Sequence, residues 1–329
     1  MSERAVGIVS ASSDEAVEQA ARVLGEGGLV AVPTETVYGL AARADDDAAV
    51  AKIFATKERP SGHPLIVHVL GRDEALAFAA ELGDAAERLI AAFWPGPVTV
   101  IVRRAPGRAG AAAAGLPTLA LRCPRHPVAR ALLTRCAQDG IAGLAAPSAN
   151  RFGRVSPTTA AHVSDEFGSS LMVLDGGACE LGIESVIVDC SGTAPVLLRP
   201  GVVTREQLER ALGAPLREPD ALSPSAPGTL ESHYAPRATL RLMSSEEMKS
   251  ALQVLPATIK GLAVYSRTAP RRHPLVQVMP DDPAAAAQEL FAVLRAFDDR
   301  GVKLIWVEQP PDTPDWEGVN DRLQRAAAH

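Results

Sequence analysis

The chain has 329 residues, of which 47% are hydrophobic, 22% charged and 4% aromatic, as in globular proteins rather than disordered ones. Its net charge of −6 means that any contact with RNA would need a local basic patch. There is no apolar run of ~20 residues that could span a membrane and no secretion signal. The four cysteines lack the paired spacing of a zinc site, which is typical of reduced thiols in a cytoplasmic protein. The length favours two domains.

The first two-thirds of the chain alternates between helical and strand patterns. Ser12 and Glu15 have the spacing of a capping box, which predicts a helix over 12–27. The Ala- and Gly-rich stretch 105–117 is predicted to be a mobile loop. The apolar periodicity predicts further helices over 47–58, 72–82, 84–93, 127–138 and 204–213, and strands over 29–32, 65–70, 98–104, 118–123, 141–146, 171–175, 184–190 and 195–199.

The remaining third begins with a change in composition. Residues 214–237 contain five prolines and little periodicity, which predicts a linker. Strand patterns then alternate with helical ones, which predicts a small α/β domain with a parallel sheet. The strands are expected over 239–243, 261–265 and 303–308, and the helices over 245–254, 283–299 and 317–328. We therefore expect domains at 1–213 and 238–329, joined by the linker 214–237.

Polar side chains within predicted strands are the first candidates for a site. A period of two places Thr118, Ala120 and Arg122 on one face of their strand, where Arg122 could present its donors to a carboxylate or a phosphate. An arginine exposed on an edge strand would give the same pattern. His68 interrupts an apolar strand, and a hydrogen-bonded core histidine would explain it equally well. His63 and His68 do not have a spacing that favours a metal site.

Two further segments are ambiguous when taken singly. Lys57 and Arg59 lie at a helix end, where they could clamp a phosphate or interact with the helix dipole. The segment Ala146-Pro-Ser-Ala-Asn150 follows a strand, which suits a ligand crevice or an ordinary turn. The chain contains no P-loop, no G-x-G-x-x-G after a strand and no G-x-S-x-G elbow, so these common routes to nucleotide binding or acyl transfer are excluded.

In their order along the chain, these segments resemble the YrdC family over about residues 13–213. The resemblance rests on Pro33-Thr-Glu-Thr-Val-Tyr-Gly-Leu40, Lys57-Glu-Arg59-Pro, Pro64-Leu-Ile-Val-His68, Trp94-Pro-Gly-Pro-Val-Thr99, Leu121-Arg-Cys-Pro124, Ala146-Pro-Ser-Ala-Asn150, Ser156-Pro-Thr158, Gly182-Ile-Glu-Ser-Val186 and Leu198-Arg-Pro-Gly201. Two later segments resemble the linker and C-terminal domain of the longer, Sua5-type members: Ala226-Pro-Gly-Thr-Leu-Glu-Ser-His-Tyr-Ala-Pro236 and Asp321-Arg-Leu-Gln-Arg-Ala-Ala327.

The resemblance implies an α/β fold, with a YrdC-like twisted mixed sheet flanked by helices and a smaller Rossmann-like α/β domain. It implies a threonylcarbamoyl-AMP synthase that uses ATP, L-threonine and bicarbonate or CO2, with Mg2+ accompanying ATP, and releases pyrophosphate. The product would pass to the machinery that transfers the threonylcarbamoyl group to tRNA in t6A formation. With a net charge of −6, direct tRNA binding is expected to be weak or absent.

The resemblance also implies roles for individual residues. A threonine pocket would contain Thr36, His68, Arg122, Ala146 and Ser185. The ATP side would contain Lys57, Arg59, His63, Thr118, Ser148, Asn150, Ser156, Arg199 and Tyr234, with Lys57 and Arg59 also catalytic. No protein side chain is assigned to a metal. Two positions depart from the family pattern, since Glu58 lowers the local positive charge and His63 replaces the Asn of some members.

Two other functions are alternatives for this sequence. A double-stranded RNA or tRNA-binding module without ATP turnover would also suit the concave YrdC surface, but the acidic chain argues against it. Carbamoyl transfer, as in hydrogenase-maturation relatives, would require extra domains with cysteine pairs. Within the linker, the adjacent His233 and Tyr234 predict a lid over the nucleotide rather than a plain tether.

Overall fold

The computed structural model describes residues 7–256, 259–269 and 275–328. The first-domain strands are β1 (Ile8–Ser10), β2 (Val30–Val32), β3 (Gly39–Arg43), β4 (Ile66–Val69), β5 (Val98–Arg103), β6 (Thr118–Arg122), β7 (Gly143–Ala145), β8 (Met172–Asp175), β9 (Val186–Asp189) and β10 (Val196–Arg199). Its helices are α1 (Asp14–Gly25), α2 (Asp47–Lys57), α3 (Arg72–Ala75), α4 (Asp84–Phe93), α5 (Pro127–Gln138), α6 (Ala160–Phe167) and α7 (Arg205–Leu212).

These first ten strands form one mixed sheet, in the order β1-β8-β2-β3-β7-β4-β6-β5-β9-β10. Parallel and antiparallel pairs both occur, since β4 pairs with β6 in parallel and with β7 in antiparallel orientation. Alternate side chains serve opposite faces: Ala31 belongs to the core under α2 and α4, whereas Val30 and Val32 belong to the core under α1 and α5. The twisted mixed sheet with helices on both faces confirms the expected α/β class.

The remaining described strands form a second, fully parallel sheet. They are β11 (Thr239–Met243), β12 (Leu262–Ser266), β13 (Val276–Val278) and β14 (Leu304–Glu308), in the order β11-β14-β12-β13. The accompanying helices are α8 (Ser245–Val254), α9 (Pro283–Asp299) and α10 (Glu317–Ala327), with a 3-10 turn at Pro314–Trp316. The predicted parallel sheet of the C-terminal α/β domain is therefore confirmed.

The two sheets share a core at their junction. Val37, Val155 and Ile183 of the first domain pack in the same apolar cluster as α9, α10 and the second sheet. A Cβ at Gly182 would lie 2.3 Å from the carbonyl oxygen of Gln288 in α9, so only glycine allows this close approach. No helix of the described part of the chain is long and apolar enough to cross a membrane.

Several local predictions were wrong, each for a tertiary reason. The predicted capping box of Ser12 and Glu15 does not form: the N-cap of α1 is Ser13, which makes no side-chain cap bond, and the Ser12 hydroxyl pairs with that of Ser10. The helix predicted over 72–82 stops at Ala75, and the Ala80 N–H bonds to the carbonyl of Arg103, the last residue of β5. The loop 105–117 is packed against the main core by buried alanines rather than lying free over the surface.

Four elements were missed by the sequence analysis. The strand β3 consists of Gly-Leu-Ala-Ala-Arg, which contains no β-branched or aromatic residue to mark it. The strands β1 and β13 have three residues each, too few for a clear alternation, and α6 is an eight-residue helix capped by Thr159. Neighbouring chain segments, rather than local propensity, stabilise these elements.

Candidate active site

A cleft of about 520 Å³ opens on the sheet face that carries Ile66 and Ala120. Strand ends and the loops that follow them bring its polar lining residues together: Thr34 and Thr36 after β2, His68 in β4, Arg122 at the end of β6, Ser148 after β7, Glu184 and Ser185 before β9, and Arg199 at the end of β10. The linker contributes Pro227, Gly228, His233 and Tyr234. All five residues expected in the threonine pocket, Thr36, His68, Arg122, Ala146 and Ser185, line this one cleft.

Arg122 is buried at the end of β6 and held from three sides. Its Nη2 donates to Glu35 Oε1 at 2.7 Å, its Nη1 to Thr36 Oγ1 at 2.8 Å, and its Nε to the Gly96 carbonyl at 3.3 Å. The second oxygen of Glu35 accepts from the Arg125 backbone N–H at 3.0 Å. Burial raises the pKa of Glu35, but the charge and hydrogen bonds of Arg122 outweigh it and leave that pKa below its usual value. Arg122 is therefore pre-oriented, with one hydrogen on each Nη still available to a carboxylate.

Threonine hydroxyls and a serine extend this polar network. The Thr34 and Thr36 hydroxyls lie 2.8 Å apart, and Thr34 Oγ1 also donates to the Val37 carbonyl. The hydroxyl of Ser185, which also lines the cleft, lies 2.8 Å from that of the buried Thr99. The cleft thus offers short, oriented hydroxyl groups close to a fixed guanidinium.

His68 is a neutral side chain in the folded protein. Its pKa is lowered to about 3. Burial is the main cause, and the positive charge of Arg122 adds to it, whereas Glu35 acts in the opposite direction. The β4–β6 register places it directly beside Arg122. An imidazole of such low basicity is suited to orienting a substrate by hydrogen bonding, and it is a weak acceptor for a proton.

Arg59 and Arg199 form the positive side of the cleft. Arg199 donates to the Ser185 carbonyl at 3.0 Å, to Ser185 Oγ at 3.2 Å and to the Pro227 carbonyl at 2.8 Å. Arg59 donates to the Pro64 carbonyl at 3.0 Å, while its buried Nε has no partner among the described residues. Neither guanidinium pairs with a carboxylate of the described chain, so both charges are available to an anionic ligand.

Lys57 lies behind the cleft rather than in its lining. Its fully buried ammonium donates to the backbone carbonyls of Ser148 and Asn150, and burial together with the charge of Arg59 lowers its pKa well below the usual value. Asn150 in turn donates to the Arg151 and Arg154 carbonyls. Lys57 therefore supports the loop that carries Ser148 into the cleft, and its direct contact with a phosphate stays a prediction.

The other expected nucleotide residues are divided between the cleft and its surroundings. Ser148, Arg59, Arg199 and Tyr234 line it. His63 packs on the Phe152 ring with 5.3 Å between centroids, and Ser156 donates to the carboxylate of Glu184. Thr118 begins β6, at the opposite end of the strand from Arg122, so the cleft does not include it.

The linker closes one side of the cleft. Tyr234 is buried with a φ of +60°, a left-handed conformation that non-glycine residues seldom adopt. Its hydroxyl has no hydrogen-bond partner among the described residues, and burial raises its pKa to about 12, so it remains a donor. Gly228 lacks a Cβ that would lie 2.1 Å from this hydroxyl. The Tyr234 hydroxyl is therefore a donor that faces the cleft and is available to a hydrogen-bond acceptor there.

Sequence reasoning missed four residues that line the cleft, Thr34, Glu184, Pro227 and Gly228, and also Glu35, which binds Arg122 outside the lining. Glu35 and Glu184 lie within motifs on which the resemblance rests. An acidic residue beside a predicted anion site could have indicated that each belongs to the site. Their function is visible only in the fold, because each pairs with an arginine distant in sequence, Arg122 and Arg322 respectively.

Comparisons with known proteins agree with this architecture. The family model covering Sua5, YciO and YrdC, described as telomere recombination, matches residues 22–201. The model of the threonylcarbamoyl-AMP synthase C-terminal domain matches residues 203–328. The chain therefore belongs to the Sua5/YciO/YrdC family of α/β proteins. Because both models match in tandem, it is a two-domain, Sua5-type member.

Relatives with the same organisation are found in distant organisms. A threonylcarbamoyl-AMP synthase of Bacillus subtilis is 37% identical over 338 residues, covering 96% of this chain and 94% of that protein. One from Pyrococcus abyssi is 34% identical, covering 94% and 93%. The crystal structure of P. abyssi Sua5 complexed with L-threonine matches with a TM-score of 0.88 and 32% identity, over 98% of this chain and 97% of that chain.

Proposed function

We propose that the cleft catalyses formation of threonylcarbamoyl-AMP and pyrophosphate from L-threonine, bicarbonate or CO2, and ATP. The observation that carries this proposal is the pairing, in one cleft, of a pre-oriented arginine with hydroxyl groups on one side and two arginines without carboxylate partners on the other. The relatives named threonylcarbamoyl-AMP synthase, and the related structure that contains L-threonine, support it. The chain is accordingly a nucleotidyltransferase.

The threonine side is proposed to be the wall formed by Arg122 and Thr36. The two free Nη hydrogens of Arg122 suit the substrate carboxylate, and the hydroxyl network suits the substrate hydroxyl. The neutral His68 orients the amine, which must be uncharged to attack the carbon of CO2 or bicarbonate. With bicarbonate, this step forms the carbamate and releases water.

The ATP side is proposed to be the wall formed by Arg59, Arg199, Ser148 and Tyr234. A carbamate oxygen then attacks the α-phosphorus, and the bond to the β-phosphate breaks with loss of pyrophosphate. Arg59 and Arg199 stabilise the charge that develops on the phosphates, while Tyr234 and the linker exclude water that would hydrolyse the product. No covalent enzyme intermediate is needed, because the reaction depends on position and electrostatics.

Mg2+ is proposed to be bound through ATP rather than by a protein site. Among the described residues no group of three or more His, Cys, Asp or Glu side chains could hold a metal ion. The two carboxylates at the cleft are already engaged, Glu35 with Arg122 and Glu184 with Arg322. These residues fit an ion that takes its ligands mainly from phosphate oxygens and water, where it would neutralise phosphate charge.

The product is proposed to pass to a tRNA threonylcarbamoyl-transfer machinery in the cytoplasm, where both ATP and tRNA are available. The alternative of an RNA-binding module without ATP turnover is not favoured, because the chain is acidic and its relatives are named as synthases.

The test is pyrophosphate release from ATP and bicarbonate with each of the twenty amino acids in turn. Stimulation by L-threonine above all others, with the adenylate found by mass spectrometry, is the expected result. Tight, steeply salt-dependent tRNA binding without any threonine-dependent release would favour the RNA-binding alternative.

A further inference from the structure

The helix α10 places one arginine behind the wall of the cleft. Arg322 of α10 is completely buried although it belongs to the C-terminal domain. Its Nε donates to Glu184 Oε2 at 2.9 Å, its Nη2 to the Glu184 carbonyl at 3.1 Å, and its Nη1 to the Pro200 carbonyl at 2.8 Å. Three donors of one guanidinium thus hold two separate segments of the first domain.

Both segments that Arg322 holds lead directly into the cleft. Glu184 itself lines it, and Ser185 and Arg199 are the chain neighbours of the two contacted residues. Glu184 also accepts a hydrogen bond from Ser156 through its other oxygen. The positions of the Ser185 hydroxyl and the Arg199 guanidinium therefore depend on contacts that Arg322 makes outside the cleft.

The same guanidinium also contacts the linker. Its carbon Cζ lies 5.3 Å from the centroid of the Tyr234 ring, within the range of a cation–π interaction. Phe291 of α9 stacks on Tyr234 with 5.5 Å between centroids. Two helices of the C-terminal domain thus position Tyr234, which explains how a residue with a left-handed backbone is held in one place.

We propose that Arg322 is a positioning residue for the ATP half of the reaction, through which the C-terminal domain holds the Glu184–Ser185 segment, Arg199 and Tyr234 in their working geometry. The inference rests on the proposed function and assigns to the C-terminal domain a role in that reaction. The ion pair between Arg322 and Glu184 joins two motifs that are far apart in sequence, the one around Glu184 and the one from Asp321 to Ala327.

The threonine half should depend less on Arg322, which reaches the expected threonine pocket only at Ser185, through the preceding residue Glu184. Arg122 takes its bonds from Glu35, Thr36 and Gly96, none of which Arg322 contacts. A role in positioning therefore predicts a larger rise in the KM for ATP than in the KM for threonine. A role in stability alone predicts fewer active molecules, which lowers kcat and leaves both KM values unchanged.

The experiment compares Arg322→Met and Arg322→Lys with the unaltered chain and with Arg205→Met. Arg205 of α7 is the control, because it also forms an ion pair with α10, through Glu317, but contacts no residue that lines the cleft. Initial rates of pyrophosphate release are measured against ATP and threonine separately, with circular dichroism and thermal melting for each variant. The KM for ATP should rise about 10-fold or more in Arg322→Met, since a displacement of about 1 Å can cost up to about 100-fold.

Arg322→Lys keeps the charge beside Glu184 but not the three-way contact, so it should fold and still show a raised KM for ATP. Its effect should shrink in a Tyr234→Leu background, because the two residues act together. An unchanged KM for ATP in both variants, or failure of Arg322→Lys itself to fold, would overturn the inference. Failure of the proposed function is recognised separately, by the absence of threonine-dependent release in the unaltered chain.

Discussion

Replacement of Arg122 by lysine tests the proposed threonine pocket most directly. In the structure three nitrogens of Arg122 serve three partners: Glu35, Thr36 and Gly96. The single Nζ of a lysine can keep the contact with Glu35 but cannot at the same time reach Thr36 and present two parallel N–H groups to a carboxylate. The substitution conserves charge, so its effect isolates the geometry of the guanidinium.

The expected loss follows from the bonds removed. One charge-assisted hydrogen bond to the substrate carboxylate contributes about 1.5–3 kcal/mol. At about 1.4 kcal/mol per factor of ten, the KM for threonine should rise roughly 10- to 100-fold. The KM for ATP should change little, because Arg59 and Arg199 make no described contact with Arg122.

The assay is pyrophosphate release as a function of threonine concentration at saturating ATP and bicarbonate. Arg130→Lys is the matched control, since Arg130 is a partly buried arginine on α5 that bonds to the Leu70 carbonyl and to Cys123 and does not line the cleft. Its threonine KM should stay unchanged. If Arg122→Lys likewise leaves the KM for threonine unchanged, the substrate carboxylate binds elsewhere and the assignment of this wall is wrong.

Three further predictions follow from the same geometry. Serine should be a poorer substrate than threonine, because the loss of one methyl contact costs roughly 1–3 kcal/mol of transition-state binding. Valine should be rejected more strongly than serine, because it leaves the hydroxyl network unpaired. Equal rates of turnover for valine and threonine would contradict this prediction. Threonine-dependent pyrophosphate release should fall most on truncation after residue 213, strongly in Tyr234→Ala and less in Tyr234→Phe. Full activity of a truncated chain that circular dichroism shows to be folded would refute the prediction that the linker is a lid. Burial lowers the pKa values of His68, His162 and His233 to about 3, 4 and 3, respectively. Below pH ~6.5 these histidines therefore bind more protons in the unfolded chain than in the folded one. The free energy of unfolding should fall as the pH drops from 6.5 to 5. His162→Gln, outside the cleft, should reduce that slope by up to about 1.4 kcal/mol per pH unit in urea titrations, and an unaltered slope would count against the buried neutral imidazole.

The coupling of Glu35 to Arg122 has a consequence for specificity. A buried arginine without a counter-ion would attract any anion of suitable size, including a phosphate of ATP. Under the proposed function, Glu35 neutralises one side of the guanidinium and leaves the remaining hydrogens of Arg122 to a planar carboxylate, which is favoured over a bulkier, more highly charged group. The same proposal assigns the phosphates to Arg59 and Arg199, which have no such partner in the described chain.

The amino-acid pattern alone determined the class of fold and much of the cleft. Period-two alternation placed Arg122 and Ala120 on one face of β6 and Leu119 and Leu121 on the other, and the structure confirms this arrangement. The resemblance implied one pocket for Thr36, His68 and Ser185, and the structure brings all three into the lining of one cleft. Strand β11 was predicted with the bounds Thr239–Met243 that the structure shows.

Only the tertiary structure decided which residues support the site from behind. Lys57, the last residue of α2, donates to the backbone carbonyls of Ser148 and Asn150, a contact that no local pattern indicates, and its expected contact with a phosphate stays a prediction. Arg322 lies 138 positions from Glu184, and no local pattern relates the two. Periodicity reports which face of an element is apolar, since burial depends on that face; it carries no record of which distant charge will neutralise a buried one. That pairing is settled only when the two domains pack together.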